Sequence, residues 1–404
     1  MKRMKQHLIT GGLILGALVA PALAMADATA TPVPTPTPLA WYQKLTVGGY
    51  LDAYYQLSLN EPQAGGIGNT GFPSVERPFD PLVNQFAFGG GELTLKQGDT
   101  ASGTGYFVDL LMGPTASIYT GSAVSAETFD DQILLGQAYV TQAFGNATFT
   151  FGKFGTPVGY EVTYLPSNAN FSRSLLYNAE PLYHTGLELA YTLPMSFTAT
   201  GWLGDGQNVE VVGNRGRDYG AQLAYAGISN LNLTGTWYLD EANALAGQLY
   251  SMTDANFIAT YTLGSSWTFA GEYLLTEFSL LGNPGYAGGP NYNPIEQGYA
   301  LYATYNTPIA NLSLSPRFEQ WYNPDAAALG FAGIAPAAPA NVTDDYTLTL
   351  KYQMGPLAHM LEYRMDAVNY SSLAAAGFAT AESGRANFLS EVNQTLTYAA
   401  VYSF

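Results

Sequence analysis

Cysteine is absent from the 404 residues, and only 11% of them are charged. The first absence excludes a disulfide framework and any thiolate-ligated metal or cluster. The second sets the chain well below the roughly one-quarter charged content of an ordinary soluble domain. Bases are scarcer than acids, 14 Lys and Arg against 31 Asp and Glu, which argues against a protein that neutralises nucleic-acid phosphates. After the N-terminal region no segment offers the roughly 18 consecutive apolar residues of a membrane helix. What the chain does have is 30 Tyr, 20 Phe and 5 Trp, too many aromatics for a disordered chain. With 44 Gly and a mean hydropathy of +0.02, this favours one large barrel over two or three hydrated domains.

The N-terminus reads as an export signal. Lys2, Arg3 and Lys5 precede an apolar stretch from Leu8 to Leu23, and Ala22-Leu23-Ala24 and Ala24-Met25-Ala26 have the small-x-small form of a cleavage site. Residues 1–26 are therefore expected to be a cleaved signal peptide. No cysteine follows them, so a lipid-modified N-terminus is excluded. In residues 27–43, Pro32, Pro34, Pro36 and Pro38 alternate with Thr or Val, as in a semi-rigid extended spacer, here a periplasmic linker.

From residue 44 onward the pattern is alternation. Leu45, Val47, Gly49, Leu51, Ala53, Tyr55, Leu57 and Leu59 are apolar or small, and Thr46, Tyr50, Asp52, Gln56 and Ser58 lie between them. That is period two over about 50 Å at the usual strand rise. Similar runs recur at 231–239, 257–263, 267–273 and 346–352. At Gly89-Gly90-Gly91 the phase slips by one, as a glycine bulge would cause. A soluble sandwich would need shorter strands and more charge on its wet face.

The runs number about sixteen, and their connections alternate in length. Short turns fall near 145–146, 194–195, 227–230, 264–266, 306–310 and 355–356, with a middling one at 98–103. Long segments fall at 61–83, 114–131, 154–183, 205–217, 241–251, 279–296, 323–342 and 367–387. This is the asymmetry of an outer-membrane barrel with short periplasmic turns and long extracellular loops. The predicted fold class is all-β, a transmembrane antiparallel barrel over 44–404. The last strand must pair with the first, so that no open edge meets lipid. The chain ends on Tyr402 and Phe404, one face of that strand, and a terminal aromatic is similar to the assembly signal read by the barrel-assembly machinery.

The first half resembles the OmpL-like "putative beta-barrel porin-2" family of Gram-negative bacteria. The resemblance is carried by Gly49-Tyr50-Leu51-Asp52-Ala53-Tyr54-Tyr55, Asn84-Gln85-Phe86, Gln137-Ala138-Tyr139-Val140, the run from Gly152 to Glu161, Asn170-Phe171-Ser172-Arg173-Ser174 and Tyr183-His184-Thr185-Gly186. It implies an outer-membrane channel and supplies no solute-binding residues. By the same likeness to porins, loop 154–183 is expected to fold inward and narrow the barrel. Its apolar content supports a packed loop, and Tyr160, Glu161, Tyr164 and Arg173 are the candidate constriction residues. Analogy with general porins also implies a homotrimer.

Parity places most strand charges on the lumen face: Asp52, Glu92, Lys96, Asp109, Glu188, Glu272, Arg317, Glu319, Lys351, Glu362, Arg364 and Glu391. A charge facing lipid at mid-membrane costs about 2–4 kcal/mol, so this segregation is what a stable barrel requires. Glu362 and Arg364 are candidates for a wall ion pair. Eight acids against four bases predict mild cation preference. Catalysis finds little support: His184 sits at a loop–strand junction, His359 lies on the outward phase, and Ser383 and Ser390 are expected at the opposite strand ends. The acidic pairs Asp130-Asp131 and Asp344-Asp345 lack calcium-loop spacing but could bind Ca²⁺ or bridge lipopolysaccharide.

The function expected is an outer-membrane porin, passing small hydrophilic solutes and ions by passive diffusion, with outer-membrane lipid and lipopolysaccharide around it and no cofactor, metal or nucleic acid. Two other readings stay open, a closed structural or adhesive barrel and a barrel hydrolase.

Overall fold

A computed structural model of the chain describes residues 44–59, 77–99, 102–119, 133–211, 216–245, 248–281, 295–323, 341–370 and 390–404. The side chains at 99, 242–250, 280–281, 323, 341, 368–370 and 390–391 lie outside the description. So do the expected signal peptide 1–26 and linker 27–43, together with Asp130, Asp131 and Ser383. The chain divides into Met1–Leu45 and the unit Thr46–Phe404, and the second is a closed antiparallel barrel.

The first eight strands are β1 (Thr46–Ser58), β2 (Gln85–Asp99), β3 (Thr104–Met112), β4 (Ile133–Phe144), β5 (Ala147–Gly155), β6 (Tyr183–Leu193), β7 (Phe197–Gly204) and β8 (Asp218–Ile228). The second eight are β9 (Leu231–Leu245), β10 (Gln248–Leu263), β11 (Trp267–Leu281), β12 (Ile295–Asn306), β13 (Leu312–Asn323), β14 (Asn341–Met354), β15 (Leu357–Tyr370) and β16 (Ser390–Ser403). Each pairs with its chain neighbours, and β16 pairs with β1 from Tyr50↔Ser403 to Ser58↔Thr395. Beyond that ladder, Phe404 N–H donates to Gly49 O at 3.0 Å and Gly49 N–H to Phe404 O at 3.1 Å. The last residue thus completes the seam. No helix among the described residues is long and apolar enough to cross a membrane.

Alternation decides which side chains face where. On β1, Leu51 and Leu57 point outward and are exposed, whereas Tyr50, Asp52, Tyr54 and Gln56 are buried in the lumen. The outward set keeps large apolar groups bare, Phe86 at 86% exposure being the extreme, as lipid contact demands. The glycine bulge forms where expected: Asp52 pairs with Gly90 and Ala53 with Phe88, leaving Gly89 as the extra residue. A Cβ at Gly89 would stand 1.8 Å from Asp52 Oδ2, so only glycine lets the bulge lie against that carboxylate.

Two connections differ from the sequence expectation. Residues 241–251 are chiefly strand rather than a long loop, because β9 and β10 continue as a ladder to Leu245↔Gln248, with a register shift between Tyr250 and Met252. Segment 114–131 opens with a short helix, α1 (Pro114–Tyr119), packed beside β2, β3 and β4.

Candidate functional site

The loop between β5 and β6, residues 156–182, lies inside the barrel. Its start is fixed by a buried chain of polar groups. Thr156 Oγ1 is 3.1 Å from His184 Nε2, accepts the Val158 N–H at 3.1 Å, and the other imidazole nitrogen of His184 is hydrogen-bonded to Asp218. Phe154 and Val158 then pack into Trp202, Tyr238, Met252 and Phe278. Gly159, at φ +95°, turns the chain in a conformation other residues rarely adopt.

From there the loop runs along the wall, and its backbone is satisfied by wall carboxylates. Tyr160 N–H donates to Glu272 at 3.1 Å, Leu175 N–H to Glu319 at 2.7 Å, and Phe171 and Ser172 N–H to the two oxygens of Glu362 at 2.7 and 3.0 Å. A buried loop without such acceptors would carry orphaned amides, each costing about 1–3 kcal/mol. Ser174 caps the helix α2 (Leu175–Ala179) by accepting the Tyr177 N–H at 3.0 Å. Apolar contacts complete the dock. Tyr164 meets Tyr50 edge-on at 5.3 Å, Phe171 meets Tyr54 at 5.4 Å, and Tyr160 meets Tyr302 at 4.6 Å.

Two wall arginines tie the loop down. Arg317 donates to Glu161 at 3.0 Å and to Ser172 O at 2.8 Å, and its Nε is 3.2 Å from Glu319 and 3.3 Å from Asp345. Arg364 donates to Arg173 O at 2.6 Å and pairs with Asp345 and Asp366, each at 2.7 Å. The expected Glu362–Arg364 wall pair does not form. Neighbours two apart on one strand share a face, but Glu362 is engaged by the loop amides and Thr349, and Arg364 by the two aspartates. Among the candidate constriction residues, Glu161 and Arg173 are buried within the dock, and Tyr160 and Tyr164 are half-buried. Arg173 donates to Thr163 O at 2.7 Å and lies 5.5 Å from the rings of Phe79 and Tyr177, while its Nε and Nη1 have no hydrogen-bond partner.

Two other loops reach the same place. Tyr119 at the end of α1 stacks on Tyr183 at 5.6 Å and shares a hydrogen bond with Thr163, which is bonded in turn to Tyr177. Arg77, ahead of β2, is paired with Asp80 and donates to Thr395 at 2.9 Å and Gln56 at 3.0 Å. Burial raises the phenol pKa values of Tyr119 and Tyr177, and lifts that of Tyr160 to about 12 with help from Glu161 and Glu272. The pKa of the Glu180 carboxyl, which closes the loop beside Glu272, is raised well above the usual carboxylate range, by burial first and then by the Glu272, Glu161 and Asp254 charges.

The parity-assigned lumen residues therefore fall into two groups. Asp52, Glu92, Asp109, Glu272, Arg317, Glu319, Glu362 and Arg364 are sealed, none more than 5% exposed. Glu188 and Lys351 are half-buried and Lys96 is exposed. Glu391 lies outside the described side chains. On β2 to β6 the lumen face is open to solvent at Lys96, Phe107, Tyr139 and Glu188, although Glu92 and Asp109 of the same wall are sealed. Sequence reasoning missed the Thr156–His184–Asp218 chain, Arg77–Asp80, and Asp345 with Asp366 as partners of the arginines. Asp345 and Asp366 share the lumen parity of Thr347 and Arg364, so period two would have found them. The His184 chain joins positions far apart and Arg77–Asp80 lies in a loop ahead of β2, so neither leaves a periodic trace.

The two histidines of the barrel lie apart, on the inner and outer faces of the wall. His184 is fully buried, and His359 faces outward, bonded to Tyr398 Oη at 2.7 Å. Asp344 and Asp345 are split by the wall: Asp345 faces the arginines, and Asp344 accepts from Gln320 at 2.7 Å. No group of three or more His, Cys, Asp or Glu among the described residues is placed to hold a metal ion.

Against known families, the model described as "Putative beta-barrel porin-2, OmpL-like" matches residues 44–404. No curated protein matches the sequence. Among solved structures, the chain is similar to the outer-membrane channel DcaP of Acinetobacter baumannii, with 12% identity, TM-score 0.60, and coverage of 89% of this chain and 97% of that one. It is also similar to an anion-selective porin from Comamonas acidovorans, with 12% identity, TM-score 0.56, and coverage of 89% and 99%. A trimer form of OmpT, an outer-membrane protein of Vibrio cholerae, gives 11% identity, TM-score 0.55, and coverage of 89% and 99%. At these identities the likeness is one of fold.

Proposed function

The chain belongs to the OmpL-like porin-2 family of bacterial outer-membrane β-barrels, and on that premise we propose that it is a diffusion pore for small hydrophilic solutes and ions, narrowed by the inward loop 156–182. The observation that carries this reading is the contrast between the two halves of the lumen. The loop seals the wall on the side of β13 to β16, where carboxylates and arginines are consumed in holding it. On the wall of β2 to β6, Lys96, Phe107, Tyr139 and Glu188 keep contact with solvent. A barrel of this size leaves an aqueous channel unless something fills it. Here the loop fills one side, and solutes pass along the other.

The remaining parts of the proposal follow from position and chemistry. Residues 1–26 direct export and are removed, 27–43 form a periplasmic spacer, and the barrel assembles through the barrel-assembly machinery with Tyr402 and Phe404 at its closing strand. Lipid and lipopolysaccharide surround it, and a homotrimer is its assembly. No catalytic step is assigned.

The test is single-channel recording in planar bilayers with liposome swelling in sugars of graded size. Stepwise conductance and a size cut-off are expected. Conductance at background would favour the closed structural or adhesive barrel instead.

A further inference from the structure

The open half of the lumen carries a feature that simple diffusion does not require. Phe107 of β3 and Tyr139 of β4 are direct cross-strand partners on the lumen face, their rings stacked at 5.3 Å with 22° between the planes. Both are half-buried, not sealed beneath the loop. Tyr139 also packs on the cluster of Phe154, Val158 and Trp202, and a stacked cross-strand pair stabilises the sheet, but the ring surface that still faces water adds nothing to either.

The groups beside the rings are carboxyl side chains. Asp109, two positions along β3 from Phe107, accepts from Gln137 at 3.2 Å with one oxygen, and the other oxygen has no hydrogen-bond partner although the residue is only 2% exposed. Glu188 of β6, half-buried, accepts from Thr150 Oγ1 at 3.3 Å. Tyr139 pairs with Gly152 of β5, two positions from Thr150, the partner of Glu188. Two bases lie near: Lys96 pairs with Phe107 from β2, on the side of β3 away from Tyr139 and Glu188, and Lys153 of β5 pairs with Ala138, its ammonium held by Leu135 O at 2.7 Å and by Glu210.

We propose that Tyr139 and Phe107, flanked by Glu188 and Asp109, form a subsite for a small organic cation, an alkylated or aromatic ammonium, on its way through the pore. The inference rests on the reading of the lumen as a water-filled channel. Carboxylates alone attract any cation. Ring faces add selectivity, because a cation within about 6 Å of a ring centroid is drawn to its negative face, and an organic ammonium sheds its weakly held water to get there. Potassium keeps its hydration shell and gains little from the rings. Anions are repelled by the two acids, and neutral rings lose the charge contribution.

The experiment uses the purified full-length protein in planar bilayers, carrying KCl current, with benzyltrimethylammonium as the probe. Millimolar probe is expected to block the current, read in each variant relative to its own KCl conductance. Tyr139→Leu should weaken block by about fivefold or more, Tyr139→Phe should retain it, and Glu188→Gln should weaken it as well. Heat-modifiability on gels controls for folding of each variant. Block that is unchanged in Tyr139→Leu, or equally strong with neutral benzyl alcohol, overturns the subsite while leaving the pore intact. A barrel with no KCl conductance overturns the pore reading and the subsite together.

Discussion

Glu161 and Arg317 lie 156 positions apart in the chain and 3.0 Å apart in the lumen. Neither side chain meets bulk solvent, so their pair fastens the inward loop to the far wall and does not sort solutes. Arg317 also holds Ser172 O, Glu319 and Asp345, which makes it the hub of the dock.

Replacing that hub should release the loop. Arg317→Gln leaves Glu161 and Glu319 without their cation and Asp345 with Arg364 alone, and breaking a buried network of this kind costs about 3–5 kcal/mol. The expected outcome is larger and noisier single-channel conductance, with protease cleavage appearing within 156–182 while the barrel stays heat-modifiable. Wild-type conductance together with a protected loop would place the fastening elsewhere.

Docking should also depend on pH through Glu180. Its pKa is raised in the docked state, so the docked loop holds a proton that a released, solvated loop gives up. Below the ordinary glutamate range both states are protonated and pH has no effect. As pH climbs from that range towards the raised value the docked state is progressively disfavoured, and above it the penalty is constant. Hydrogen exchange of the loop amides should therefore quicken with pH beyond its intrinsic trend. Glu180→Gln should flatten that excess; an unchanged excess in the variant would assign it to another group.

Phe404 closes the seam with two backbone bonds to Gly49, and its ring is 56% exposed on the lipid side. Phe404→Ser keeps the backbone bonds and removes the aromatic surface. Assembled, heat-modifiable protein in the membrane should fall several-fold, more than for a loop substitution of similar size. Normal levels would reduce the residue to ordinary packing.

Ion selectivity should be mildly cationic and strongest at low salt. The sealed acids outnumber the sealed bases, and their field reaches the open wall, where Glu188 is opposed by Lys96, with Lys351 half-buried across the lumen on β14. Exposed charges are screened over about 10 Å at 0.1 M, so the preference should fade as salt rises. Reversal potentials in KCl gradients measure it. An anionic potential at low salt would show that Lys96 and Lys351 govern the path.

The barrel was legible from residue 45 onward because period two is a local signal. A strand with one face in lipid and one in water writes its orientation into alternate residues, and the slip at Gly89 marks its bulge in the same code. Strand ends were less legible: Tyr250 and Ser251 read as loop, yet they extend a hairpin, because ladder bonds and not hydropathy hold them. The chemistry of the lumen was legible only in part. Parity put Glu272, Glu319 and Glu362 indoors but gave no means of knowing that backbone amides of a distant loop would occupy them.

By itself, then, the sequence determined sidedness: which residues meet lipid, which meet the lumen, how many strands close the wall, and that the last must meet the first. Those follow from the cost of placing charge or an open backbone edge in hydrocarbon. Only the tertiary structure decided which lumen charges touch water. That depends on where residues 156–182 settle, and on contacts such as Glu161 with Arg317 and Phe171 with Glu362 that join positions far apart in the chain. A carboxylate on the lumen face has the same pattern in sequence whether it meets a solute or an amide.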